Sequence, residues 1–148
     1  MNTGTVKRTY PRVEILRGFD PNNPRGRHIN APILREKVDG AGTATVAMAA
    51  NETILSGHLV SLVDDGGVQK FVLGVKKGEL AYVAYQDETD EDVVQAGVLT
   101  AYPVNDQYRF ETPFFSGAIG TFTTGVPIIA DLANPGYLVV GTVGANNN

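Results

Sequence analysis

From position 40 onward the apolar residues come in short runs broken by glycine-rich turns, a spacing that predicts strands and not helices. Residues 43–49 are small and partly β-branched and are read as a strand, with a short helix as the competing reading because of the alanines. Residues 54–63 predict a second strand. Asp64, Asp65, Gly66 and Gly67 predict a hairpin turn, since paired glycines tolerate positive φ. The chain returns over 68–75, turns again at Lys76, Lys77 and Gly78, and predicts a further strand over 80–85, apolar enough to be buried on both faces. Residues 87–92 form an acidic loop or a single helical turn. The apolar stretch that follows is broken at Gly97, which places a strand over 97–102. Residues 107–112 alternate, with Tyr108 and Phe110 inward and Arg109 and Glu111 outward. Apolar runs over 114–122 and 126–130, a turn at Asn134, Pro135 and Gly136, and a last strand over 137–143 complete the pattern. About eight short strands with turns every 8–12 residues predict an all-β domain, a small barrel or sandwich.

Residues 1–39 read differently. Pro11, Pro21, Pro24 and Pro32 each fix φ, remove an amide donor and bias the preceding residue toward extended geometry. Short extended pieces lie between them, at 12–17 and 31–35. In the first, Val13, Ile15 and Arg17 alternate with Arg12, Glu14 and Leu16, which predicts a strand added to a sheet edge, including the edge of another subunit. The expected division is an extended N-terminal arm over 1–39 and a β domain over 40–148.

Charge sharpens that division. Residues 1–39 carry eight of the twelve Lys/Arg against four acids, a net +4, while residues 40–148 carry four bases and twelve acids, a net −8. A basic, proline-broken arm on an acidic body points to assembly more than to catalysis. Its bases are interspersed with apolar residues, so an acidic protein surface suits it better than nucleic acid. The residues expected to make that contact are Lys7, Arg8, Tyr10, Arg12, Ile15, Leu16, Arg17, Phe19, Arg25, Arg27 and Ile33.

The remaining composition excludes several chemistries. A length of 148 residues fits one domain. No apolar run approaches the roughly 18–20 residues that span a bilayer, and the N-terminal residues lack the apolar core of a secretory signal. With no cysteine there is neither a disulfide framework nor a thiolate site. His28 and His58 stand far apart and make a poor transition-metal pair. His58, with Ser56 and Ser61 nearby, could be imagined as a catalytic base, but a strand histidine facing solvent or an interface rim is the expected role. The acidic run 87–92 lacks the glycine and the spacing of a calcium loop, and no phosphate-cradling fingerprint is present. Neither an enzyme nor a cofactor is expected. One internal echo stands out: Glu52, Thr53, Ser56 and Gly57 recur as Glu111, Thr112, Ser116 and Gly117.

The strings from Ile54 to Leu62, from Phe122 to Ala130 and from Asn134 to Gly141, behind an extended basic arm, resemble the small β domains of tailed-phage capsid decoration (cement) proteins. The resemblance covers about two-thirds of the chain and implies a β-tulip-like barrel. It also implies a place on the outer surface of the virion and the major capsid protein as partner. A homotrimer suits a local three-fold site, with a dimer next, and no membrane is involved. The competing reading is a receptor-binding or adhesion β module of a phage particle, which exposed aromatic clusters or a ligand cleft would favour.

Overall fold

The computed structural model describes residues 14–15, 28–104 and 110–141. In chain order the elements are β1 (Glu14–Ile15), β2 (Ile29–Ala31), β3 (Ile33–Val38), β4 (Thr45–Ala47), β5 (Leu59–Asp65), β6 (Val68–Leu73) and β7 (Tyr82–Ala84). There follow α1 (Glu91–Ala96), β8 (Leu99–Pro103), β9 (Phe110–Glu111), β10 (Ile128–Ala130) and β11 (Leu138–Val140). Among the described residues the protein is all-β apart from one short helix and a 3-10 turn at Ile119–Thr121. A seven-stranded sheet runs in the order β2-β8-β7-β5-β6-β3-β4, and β1–β9 and β10–β11 form two small antiparallel ribbons.

The sheet order carries a geometric demand. β2 and β3 are separated in sequence by Pro32 alone, yet they stand five places apart in the sheet. In a flat sheet five steps of about 4.8 Å would separate them by about 24 Å, whereas two residues reach at most about 7 Å. The sheet must therefore curl until its first and sixth strands meet. Pro32 sits at the meeting point. It has no N–H to give, so pairing with β8 stops there, while its carbonyl accepts the Phe71 N–H at 2.8 Å. Beyond it the chain runs parallel to β6, with Ile33 opposite Phe71 and Lys37 opposite Leu73. Residues 29–38 are thus one bent strand serving two neighbours, and the bend gives the sheet its barrel-like form.

Strand periodicity sorts the apolar residues into two groups. Val60, Phe71, Leu73, Tyr82, Ala84, Leu99 and Ala101 point into the curl, joined by Ile54 and by Val93 from α1. Leu59, Val75 and Val83 point out of it and are covered by Phe110, Ala130 and Leu138. Residues 110–141 therefore form a second layer over the outer face of β5 and β7. Barrel and sandwich features coexist, because one face of the curled sheet needed a lid of its own.

Local turn chemistry follows the sequence. Gly66 and Gly67, at φ 64° and 87°, form the expected hairpin between β5 and β6. Gly97, at φ 72°, ends α1 and donates its N–H to the Val93 carbonyl at 2.9 Å. The strand expected over 54–63 begins later, at Leu59, because Ser56 and Gly57 turn the chain. The arm boundary needs correcting. Residues 29–38 belong to the body, and Ile33 packs half-buried against the inner cluster. Pro32 reads as a strand breaker, but it stands where the strand changes neighbours and no donor is required.

Phe71 is completely buried at the centre of the inner cluster. Phe71→Ala is expected to cost about 3–5 kcal/mol, whereas Val46→Ala, on the exposed edge strand β4, should stay within about 0.5 kcal/mol. Urea midpoints of the two variants check this; equal losses would refute the assignment of Phe71 to the core.

Candidate interaction surface

The residues most suggestive of catalysis are occupied in holding the backbone. His58 is buried, and its Nδ1 accepts the Leu55 N–H at 3.0 Å. Its ring lies 3.9 Å from that of Phe114 and 5.8 Å from that of Tyr137, both in the second layer. Burial lowers its pKa to about 4, against a smaller upward pull from Asp87. The Ser56 hydroxyl donates to the Tyr85 carbonyl at 2.9 Å and the Ser61 hydroxyl to the Gly74 carbonyl at 2.9 Å, so neither serine hydroxyl is directed at the imidazole. The expected solvent-facing or rim position of His58 is therefore corrected: the second layer closes over it. Gly136 permits that approach, since a Cβ there would lie 2.6 Å from Leu73 Cδ1 and 3.3 Å from the imidazole.

The acidic run 87–92 is equally committed. Asp87 Oδ1 accepts the Ser56 N–H at 2.7 Å, Glu88 Oε2 accepts the Ile54 N–H at 2.8 Å, and Asp90 Oδ2 accepts the Asp87 N–H at 3.1 Å. Glu88 also pairs with Arg35, whose guanidinium donates to the Glu52 carbonyl at 2.8 Å. Lys37 bonds both carboxylate oxygens of Glu52, at 2.7 and 2.9 Å. These contacts pin the 49–58 loop across the barrel. Among the described residues no cluster of three or more acids or histidines is arranged to hold a metal ion.

Arg35 and Lys37 are thus spent inside the body. The bases at Lys7, Arg8, Arg12, Arg17, Arg25 and Arg27 precede the first strand of the barrel. Moving the boundary to residue 28 leaves the charge split intact. Residues 1–27 carry six bases and two acids, a net +4, and residues 28–148 carry six bases and fourteen acids, a net −8. Of the residues expected to make contact, Lys7, Arg8, Tyr10, Arg12, Leu16, Arg17, Phe19, Arg25 and Arg27 lie outside the described residues. Ile15 pairs through its backbone with Phe110, and Glu14 with Glu111, so the sheet edge that β1 joins is the chain's own. The leader is attached to the body at Glu14–Ile15 and again from Ile29. Tyr108 and Arg109 also lie outside the described residues, while Phe110 is half-buried and Glu111 exposed, as the alternation expects.

The β1–β9 ribbon borders an open apolar cleft of about 330 Å³, lined by Phe110, Glu111, Thr112, Phe115, Ile119, Phe122, Ile128 and Leu138. Phe115 and Phe122 meet edge to face at 5.1 Å, and Ile119 and Ile128 remain 75% and 42% exposed. Thr112 fixes one wall, donating its hydroxyl to the Gly57 carbonyl at 2.9 Å and accepting the Phe114 N–H at 3.2 Å. The two segments that echo one another in sequence thus touch here, and both carry a positive-φ glycine, Gly57 at 102° and Gly117 at 98°. Sequence reasoning did not single out this cleft. Its signal was the density of Phe and Ile between Phe110 and Ile128, with no polar partner strand to account for it.

A second exposed feature lies on the outer face of β2 and β8. The rings of His28 and Tyr102 are 5.7 Å apart, those of Tyr85 and Tyr102 5.5 Å, and Tyr85 is 44% exposed. The Thr100 hydroxyl donates to Asn30 Oδ1 beside them, at 2.8 Å. No family model, curated protein or solved structure matches the chain.

The lowered pKa of His58 has a definite consequence for stability. The unfolded chain, with an ordinary value of 6.5, takes up the proton before the folded chain does at about 4. Stability is therefore complete above about pH 6.5 and falls as the pH drops through that window. The full loss, about 3 kcal/mol, is reached below about pH 4. Protonation would also remove the acceptor that Leu55 uses. His58→Gln should flatten the dependence of unfolding free energy on pH between 6.5 and 4. Parallel curves for the two proteins would show that His58 is not the titrating group.

Proposed function

We propose that the protein is a structural component of a viral particle, a capsid decoration or cement protein that binds the assembled shell and stabilises junctions between major capsid protein subunits. The observation that carries this reading is the survival of the charge split once the fold is known. Arg35 and Lys37 are consumed by Glu88 and Glu52, yet the leader ahead of the barrel still holds +4 against a body of −8. A basic, apolar-studded leader fastened to a rigid acidic body suits adhesion to an acidic protein lattice. Binding to the assembled state alone would stabilise that state by mass action. A homotrimer, or failing that a dimer, would present several leaders together and turn modest contacts into tight ones. The place of action is the outer surface of the virion.

The ring cluster of His28, Tyr85 and Tyr102 favours a second reading, a receptor-binding or adhesion module of a phage particle, because exposed aromatic faces suit a glycan or host surface.

Sedimentation with capsids of the source, using full-length variants, tests the choice. Replacing Arg17, Arg25 and Arg27 together by Gln is expected to weaken capsid binding about tenfold or more, and raised salt should mimic the effect. Tyr85→Ala with Tyr102→Ala should leave it unchanged. The reverse pattern would assign the capsid contact to the ring cluster and overturn the role of the leader, and no co-sedimentation of the wild-type protein removes the cement reading.

A further inference from the structure

The register of β1 on β9 sets the N-terminal end of β1 at the mouth of the apolar cleft. Glu14 lies opposite Glu111 and Ile15 opposite Phe110, in an antiparallel pair. Glu14 is therefore the end of β1 nearer Thr112, and Phe110, Glu111, Thr112 and Phe115 are themselves cleft residues. β pairing cannot continue far in that direction. Pro113 has no N–H, and the Phe114 N–H is already donated to the Thr112 hydroxyl. The β1–β9 ladder thus ends beside an open apolar surface.

Length fits the same occupant. Thirteen residues precede Glu14. At about 3.3 Å each they span far more than the cleft requires. Within them Tyr10 offers the largest apolar surface, an aromatic ring suited to the edge-to-face company of Phe115 and Phe122.

We infer that the cleft between β9 and the 3-10 turn at Ile119–Thr121 is an internal docking site for the chain's own residues 6–13, with Tyr10 seated among Phe115, Ile119 and Phe122. The leader is then held at its outer end as well as at β2. The site does not depend on which outside partner the protein binds.

The absence of cysteine from the chain makes cross-linking a direct test. Full-length protein carrying Tyr10→Cys with Ile119→Cys, or Tyr10→Cys with Ile128→Cys, is oxidised mildly and run without reductant. At least one pair is expected to close within a single chain at about five times the rate of a control pair, Tyr10→Cys with Val46→Cys on the remote edge strand β4. Val46→Cys should keep the wild-type unfolding midpoint, because Val46 is exposed and remote from the cleft. Cross-linked dimers in place of closed monomers would assign the cleft to a second copy and overturn the inference. Closure no faster than in the control would overturn it too, by showing that the tail has no preferred seat.

Discussion

The bend of residues 29–38 through Pro32 is the constraint on which the rest of the molecule depends. A strand that leaves β8 and joins β6 within one residue forces the sheet to curl. The curl in turn creates an inside that Phe71, Val60 and Leu99 can fill, each completely buried. It also exposes the outer face of β5 and β7, which is apolar at Leu59 and Val83 and needs covering. The second layer supplies the cover, and with it the walls of the cleft. Without the bend neither the core nor the cleft would have its present boundary.

The same strand also fixes the first two cations of the body. β3 carries Arg35 and Lys37 into a loop region rich in carboxylates and carbonyls, where both cations find partners. The loop's own N–H groups are in turn met by Asp87, Glu88 and the imidazole of His58. Buried backbone donors are costly to leave unmet, so these three side chains are held to structural duty. The net positive charge of the sequence lies ahead of the barrel, in residues 1–27.

Much of the fold was legible because its signals are local. The paired glycines at 66 and 67 and the single Gly97 each mark a turn through their own φ, and alternation placed Phe110 inward and Glu111 outward with no knowledge of the tertiary structure. The boundary at residue 39 and the position of His58 were misread for one shared reason: both are set by residues distant in sequence. A proline reads as a break until one knows that the strand has two different neighbours. A histidine beside Gly57 reads as exposed until Phe114 and Tyr137 fold over it. Phe115, Ile119 and Phe122 were visible as apolar positions, but the concavity they share exists only after the second layer has packed.

The closing ladder also has a temporal side. Ile29 pairs with Ala101 and Ala31 with Leu99, so a strand near the start of the chain waits for one made some seventy residues later. At ordinary rates of translation, about 5–20 residues per second, that interval is several seconds. Throughout it β2 has no neighbour to zip against, and ordering such distant pairs is entropically slow even in the finished chain. During biosynthesis the first piece of the barrel to leave the ribosome is thus among the last to be locked.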